Sequence, residues 1–407
     1  MKVVVVGGSM AGLACAHALF SAGCKQVIVL EKARTLKSAG AGLALDSQTC
    51  QALAEWQLHQ QLMDSTLPLT IDQNQATESK SKATRVLARD ENFNCRAAHW
   101  SDLHKLLYDK LPRDTVHWGH EVVSFRQSGD GLGVTVEVKM AQTDQTIEID
   151  GDLLVAADGS MSLIRKHFVP HQHRRYLGYC AWRGVFDYSK NDSPEMVASI
   201  KKVYPDLGKC LYFDLAKGSH SVFYELHGKR INWLWYVNQP EPHMQMNSLT
   251  AKVDKIAIEK MHEEASETWV PELSALIKAT PEPFINVLYD REPLKQFVWG
   301  HVVLVGDAAH PTSPHGVRST NMSIMDASVL GQSIAKWGFD KISTALAEYE
   351  SIRLPVTSQQ VLYSRHLGLL KQGFLFDPPH SFPWFEADAD LCEQLLQRNM
   401  PFFKSHS

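Results

Sequence analysis

Apolar positions in this chain fall into short β-branched runs, alternating stretches and helical stripes. The first run, Val3–Val6, is too short for a helix and β-branched throughout, which predicts a buried strand. Gly7, Gly8 and Ser9 then predict a tight turn. Ala11 to Ala22, small and apolar, suits a helix packed on a sheet, and Gln26–Leu30 predicts a second strand ending at Glu31. Gly40 and Gly42 have no strand before them and read as a flexible loop leading into an apolar stretch. Residues 71–94 are polar and weakly periodic, a pair of short strands or a loop. A helix follows Arg96, with Ser101 as its cap and Leu103, Leu106, Leu107 and Leu111 on one face.

His120–Arg126 and Val134–Val138 alternate around SGDGLG, a hairpin signal, and Thr146–Ile149 adds a third strand. Leu153–Ala157 predicts another buried strand, followed by Asp158-Gly159 and a helix beginning near Ser160. From about Tyr176 to Tyr289 the style changes to aromatic, alternating segments that predict one antiparallel sheet, with Ala251–Ala265 as a helix beside it. Trp233 and Trp235 share one face of their strand and Tyr236 takes the other. Val302–Val305 returns to the buried-strand style, with Gly306-Asp307 after it and a helix from about Ser319. From Ile342 the chain is helical and ends in a Pro/Phe-rich tail.

Composition narrows the class. The 407 residues suffice for two or three domains, and 44% hydrophobic with 21% charged residues is ordinary for a globular protein. A net charge of −4 without long single-sign runs predicts neither a nucleic-acid partner nor an anionic membrane surface. Seven scattered cysteines with no CxxC fit reduced thiols in a cytoplasmic setting and predict no disulfide scaffold or zinc site. The 19 histidines include no HExxH, and His171 and His173 read as a solvated loop, so no metal is expected. No apolar run approaches the ~20 residues of a membrane span. The first strand begins at Lys2, so the expectation is a cytoplasmic protein or one from which a leader has been removed.

The order strand, glycine turn, helix, strand, acid is that of a dinucleotide-binding unit. In it Gly7 permits the turn, Gly12 allows close helix–strand packing, the helix N-terminus faces a pyrophosphate, and Glu31 accepts from a ribose hydroxyl. Ser9 stands where the middle glycine is usual, narrowing the space for the pyrophosphate.

Two further pieces follow strands: Asp158-Gly159-x-x-Ser162-x-x-Arg165 and Gly306-Asp307-Ala308-Ala309-His310-Pro311. With Gly7–Glu31 and the stretch Ala345–Pro355, they make the chain resemble the class A flavoprotein monooxygenases, the para-hydroxybenzoate hydroxylase-like family. The resemblance spans nearly the whole chain. It implies an α/β fold in which a Rossmann-like FAD-binding domain, a parallel sheet with a β-meander, is interleaved with an antiparallel-sheet α+β substrate domain and followed by C-terminal helices. The FAD-binding domain is expected over 1–70, 95–175 and 290–345, the substrate domain over 71–94 and 176–289, and a helical segment with tail over 346–407.

The resemblance also implies roles. Gly7, Gly8, Ser9, Met10, Ala11, Gly12, Glu31 and Lys32 would hold the ADP half of FAD. Asp158 and Gly159 would serve the FAD pyrophosphate and the NAD(P)H path, and Gly306 and Asp307 the ribityl chain. The loop from Pro311 to Gly316 would line the flavin beside the substrate, with Gly316 and Asn321 near the isoalloxazine. Ser319 stands where the family often has glycine. The arginine usual at the start of the helix containing Leu103 is replaced near Trp100, leaving Arg96 as the alternative match. Backbone N–H groups at a helix start would stabilise negative charge on the reduced flavin.

The implied reaction is reduction of FAD by NAD(P)H, addition of O2 to give a C4a-hydroperoxide, and oxygen delivery to a small aromatic or N-heteroaromatic substrate. The nicotinamide would dock transiently, since only one nucleotide fingerprint is present. Arg183 could supply a cation for a carboxylate or oxyanion, or be structural. His315 could relay a proton, and Pro311 belongs to the same flavin-side loop. Tyr212, Tyr224, Trp233, Trp235 and Tyr236 are candidates for the pocket wall, with at most one of Trp235 and Tyr236 pointing into the cavity. An epoxidase of the same fold, a non-oxygenating FAD reductase and a flavin-binding regulatory protein remain open, as does monomer or homodimer.

Overall fold

The computed structural model describes residues 1–36, 40–129, 131, 133–190, 194–242, 250–251, 253–380 and 382–397. Asp130 and Leu132 of the expected hairpin turn, and the end of the expected tail, lie outside them. The chain begins β1 (Lys2–Val6), α1 (Met10–Ser21), β2 (Gln26–Glu31), with Val3–Val5 fully buried as their branching and apolarity require. Next come β3 (Gly42–Asp46), α2 (Ser47–Glu55), α3 (His59–Ser65), β4 (Leu67–Leu69), β5 (Ile71–Thr77), β6 (Thr84–Asp90) and β7 (Cys95–His99). Helix α4 (Trp100–Asp109) starts one residue before the expected cap, because Ser101 turns its hydroxyl to His99 and Asp102 instead.

Strands β8 (Val116–Trp118), β9 (His120–Gln127), β10 (Val134–Met140), β11 (Thr146–Gly151) and β12 (Leu153–Ala156) precede α5 (Leu163–Phe168). The last begins later than expected, since Ser162 caps it by accepting from the Arg165 amide. The aromatic region gives β13 (Arg175–Asp187), α6 (Pro194–Val203), β14 (Cys210–Ala216), β15 (Ser219–Leu226), β16 (Arg230–Asn238) and β17 (Thr250–Ala251). Helix α7 (Lys255–Thr268) is displaced from the expected Ala251–Ala265 because Asp254 caps it, its carboxylate accepting from the Ala257 amide. Then follow α8 (Pro271–Ala279), β18 (Phe284–Asp290), β19 (Val298–Trp299), β20 (Val302–Leu304), α9 (Ser319–Trp337), α10 (Ile342–Lys371) and α11 (Ala389–Glu393).

Four sheets result. One has the order β19-β20-β12-β1-β2-β8, parallel except for β19, with β9–β11 as a separate three-stranded meander. In the parallel sheet Val6 lies level with both Leu30 and Ala156, and Ala156 with Leu304. The loops after β1, β12 and β20 therefore leave the same edge side by side, the position at which open α/β sheets bind ligands.

The largest sheet runs β17-β18-β13-β16-β15-β14-β5-β6, so the polar strands β5 and β6 pair with the aromatic region. Alternation divides its side chains. Tyr212, Phe223, Trp233 and Trp235 pack with residues of α6–α8, including Ile200, Met261 and Leu276, and with Trp269 between α7 and α8. Tyr179, Phe213, Tyr224, Leu234 and Tyr236 lie on the other face, in one core with Ala44 and Ala97 of β3 and β7. Helix α9 is buried between α1 and α10. Among the described residues no helix is long and apolar enough to cross a membrane.

Candidate functional site

The glycine turn is tight enough to dictate its residues. A Cβ on Gly12 would lie 1.8 Å from the Gly7 carbonyl oxygen, and one on Gly7 (φ +104°) 2.3 Å from that of Ala157. A Cβ on Gly8 would meet the Glu31 side chain at 2.8 Å. Only bare backbone lets β1, α1, β2 and the loop after β12 converge here. Ser9 is the N-cap of α1 but makes no side-chain bond to it, so its hydroxyl leaves the first amides of the helix to an anion. Glu31 accepts from the Gly8 and Ala33 amides, both at 2.7 Å, which fixes its carboxylate beside the turn. Met10 and Ala11 are buried behind it, and Lys32 is exposed.

The second and third pieces meet this turn. Asp158 Oδ2 accepts from the Leu163 amide at 2.8 Å, while its Oδ1 is buried with no protein partner among the described residues. Burial pushes this carboxyl above its ordinary pKa. Gly159 has φ +79°, and a methyl group there would meet nothing within 4 Å, an open backbone beside the turn. Gly306 (φ +59°) sits so close to α1 that a Cβ there would be 2.8 Å from that of Ala11. Asp307 accepts from Ser319 at 2.7 Å, and Arg165 donates to the Asp307 and Ala308 carbonyls. The close-packed glycines, the uncapped helix start and the orphaned carboxylate oxygen fit a dinucleotide such as FAD.

Behind this edge lies a buried charge cluster that joins His310 of the Gly306–Pro311 piece and Arg353 of the Ala345–Pro355 stretch to Asp326. Asp326 accepts from His310 at 2.5 Å, from Arg353 at 2.7 Å and from the Gly306 amide at 2.8 Å. Burial opposes its ionisation, but His310 and Arg353 hold it below the ordinary carboxylate range. The loop after β20 is thereby tied to α9 and α10.

The flavin-side loop is held from below. Asn321 donates to the Ala44 and Val317 carbonyls and accepts from the Asp46 amide at 3.0 Å. Its amide is thus committed to backbone, so Asn321 shapes the loop that the resemblance places near the isoalloxazine. Asp46 also receives Arg318 at 3.0 Å in a bridge buried at both ends. Gly316 takes φ +79°, and the start of α9 behind it carries no side-chain cap. Pro311 is buried at the beginning of this loop.

His315 projects into the large sheet. Its ring lies 5.6 Å from that of Tyr179, 4.8 Å from Tyr236 and 5.2 Å from His220. Burial, with Lys371 nearby, pushes its pKa down to about 3, so it is neutral at physiological pH. Arg183 stands on the same face of β13 as Tyr179, donates to Asn286 at 3.3 Å, and keeps its buried Nε without a protein partner among the described residues. Tyr224 lies beside Gly42, whose amide donates to Asn232 at 2.7 Å. The Gly7 turn thus meets the Asp158 and Gly306 loops at the sheet edge, while His315 meets Tyr179 and Tyr236 on the inner face of the large sheet.

Expectations for four residues, Tyr212, Trp233, Trp235 and Arg96, are corrected. Tyr212, Trp233 and Trp235 face α6–α8, because they have the parity of the outer face in their strands; of the candidates, Tyr236 is the one that faces His315. Arg96 donates to Thr66 Oγ1 and to the Thr66 and Met63 carbonyls, and lines a cavity of about 340 Å³ with residues of α2 and α3. At the start of α4, Trp100 stacks on His104 at 4.5 Å, and His104 meets the Gly8 carbonyl at 2.6 Å, so this helix reaches the glycine turn without an arginine.

Residues 1–177 and 244–364 match the family model described as "FAD binding domain". The chain is 25% identical to aurachin C monooxygenase/isomerase of Stigmatella aurantiaca over 91% of its own length and 90% of that protein's. It is 24% identical to 6-hydroxynicotinate 3-monooxygenase of Bordetella bronchiseptica, covering 86% and 87%. Its fold superposes with a TM-score of 0.76 on HpxO of Klebsiella pneumoniae, complexed with FAD and uric acid, at 22% identity and covering 99% and 98%.

Proposed function

Since this chain belongs to the FAD binding domain family and is a FAD-dependent monooxygenase of the para-hydroxybenzoate hydroxylase-like class, we propose that it uses NAD(P)H and O2 to hydroxylate a small aromatic or N-heteroaromatic substrate. The observation that carries this reading is the meeting of the His315–Gly316 loop with the tyrosine-lined face of the large sheet. That face combines aromatic walls for a planar ring with a few polar groups to orient it, which is the usual make-up of a small-molecule site.

Bound FAD would supply the redox chemistry, taking electrons from the nicotinamide and activating O2. Gly7–Gly12, Glu31, Asp158 and Asp307 would hold its nucleotide and ribityl parts, and Gly316 with the uncapped start of α9 its ring edge, where helix amides favour negative charge. Arg183 would face an oxyanion or carboxylate on the substrate, its unpaired Nε being available for a charge-assisted bond. Tyr179, Tyr224 and Tyr236 would exclude water. His315 would serve as a neutral hydrogen-bonding group, not as a cation. The division into an FAD-binding part and a substrate-binding part around the large sheet belongs to the same reading.

The test follows NADPH and NADH oxidation by the FAD-loaded protein with and without a panel of hydroxylated aromatics and N-heteroaromatics. A compound that accelerates oxidation and gains one oxygen atom supports the proposal. Oxidation indifferent to every compound, with no oxygenated product, would favour a reductase.

A further inference from the structure

Beside His315 the large sheet carries a second buried histidine, His220, whose proton is fixed by a chain of hydrogen bonds. The chain starts at a group that can only accept, the Gln372 backbone carbonyl, which takes a hydrogen bond from Asn238 Nδ2 at 3.1 Å. With its nitrogen so assigned, Asn238 offers Oδ1 to Gln372 Nε2 at 2.7 Å. Gln372 must then present Oε1 to His220 Nδ1, 2.6 Å away, and that oxygen can only accept. Asn238 Nδ2 also meets His380 Nδ1 at 2.8 Å, and with that ring nitrogen accepting, His220 is an Nδ1–H imidazole whose Nε2 carries a bare lone pair.

That Nε2 is buried with no hydrogen-bond partner among the described residues, and the Nε2 of His315 is in the same condition. The His220 residue is fully buried, its ring stacked on Tyr236 at 4.3 Å. An unpaired acceptor in such a place costs free energy unless a ligand meets it. Protonation does not resolve the cost. Burial, the facing His315 and the buried Lys371 all oppose the imidazolium. Lys371 itself comes from the end of α10, donates to Asn74 Oδ1 at 2.6 Å and lies over the Phe213 ring at 3.4 Å; the buried Asp72 is the carboxylate nearest it in this group.

We propose that His220 Nε2 is a substrate-binding acceptor that selects an aromatic ring bearing an O–H or ring N–H donor and orients that donor. A carboxylate placed there would oppose the His220 lone pair, so any acidic group on the substrate belongs elsewhere on the face. Gln372 and Asn238 are positioning residues that act through the tautomer. This inference rests on the hydroxylase reading for the location of the substrate.

The test uses the FAD-loaded protein with ¹⁵N-labelled histidine. Two-bond ¹H–¹⁵N correlation reads each ring nitrogen, with His220 assigned by the signals lost in His220→Gln. At pH 7 the expected state is protonated Nδ1 and unprotonated Nε2, and millimolar phenol shifts the Nε2 signal toward the protonated range while anisole does not. An Nε2–H tautomer, an imidazolium, or an Nε2 signal unmoved by phenol would overturn the proposal. Gln372→Leu is expected to release the tautomer and weaken phenol binding about fivefold, leaving anisole unchanged. If that variant fails to fold, the unsubstituted protein's spectrum decides alone. These readings need no turnover, so they fail or succeed separately from the oxidation assay.

Discussion

Replacing Gly12 by alanine isolates the geometric claim about the nucleotide turn. The new methyl would sit 1.8 Å from the Gly7 carbonyl oxygen and 3.0 Å from its carbonyl carbon, both backbone atoms with no side-chain freedom to retreat. To reach even the 3.0 Å that real Cβ atoms do not undercut, α1 must move away from the turn by more than 1 Å. A displacement of that size costs on the order of 100-fold where a ligand is held by fixed geometry, and overpacking adds roughly 1–3 kcal/mol of instability. Gly23→Ala is the control. It has φ +86° and nothing within 4 Å, so only backbone strain of about 1–2 kcal/mol applies, with no effect on the nucleotide edge. The assay is FAD titration into apoprotein followed by flavin fluorescence, with thermal denaturation in parallel. The expected result is a large affinity loss in Gly12→Ala and a stability loss alone in Gly23→Ala. Unchanged FAD affinity in Gly12→Ala would refute the reasoning.

Other outcomes follow from burial and charge. Asp326→Asn leaves Arg353 buried without its carboxylate and is expected to lower unfolding free energy by about 3–5 kcal/mol in urea. His315 has a folded pKa near 3 against an ordinary 6.5, so the unfolded chain binds its proton first and stability falls as pH drops below about 6.5. His315→Gln should therefore remove about 1.4 kcal/mol per pH unit from the acid-side slope between pH 5.5 and 4, measured by urea unfolding at each pH. Tyr212→Phe loses a hydroxyl that accepts from the Asp206 amide on the outer face, which predicts about 1 kcal/mol of destabilisation with KM unchanged. Tyr224→Phe, on the inner face, is expected to change KM for the aromatic substrate instead.

The nucleotide edge was legible because its chemistry is local. Val3–Val6, Gly7, Gly12 and Glu31 declare a strand, a turn and an acid within about thirty residues, and Gly306-Asp307 repeats the style after β20. The inner wall was not, because it is assembled from distant strands. Parity could say that Trp235 and Tyr236 oppose each other, but not which of them met His315. Strand β5 hid most completely. Asp72, Gln73, Asn74 and Gln75 read as a polar, weakly periodic stretch, yet all are buried, since Gln397 supplies a partner to Asp72, Lys371 to Asn74 and Asp214 to Gln75 from up to hundreds of residues away. His220 and Lys371 carried no motif, and their setting depends on contacts that only the fold creates. Arg96 was chosen by position along the chain, whereas its partners Met63 and Thr66 lie in α3 and at its end.

The most direct test of the account is oxygen labelling. The FAD-loaded protein would be given NADPH, ¹⁸O2 and the aromatic compound that most accelerates oxidation, and the product analysed by mass spectrometry. The account predicts one ¹⁸O atom per product molecule, in proportion to NADPH consumed. A product whose new oxygen comes from water, or NADPH consumption yielding peroxide alone with every compound, would contradict it.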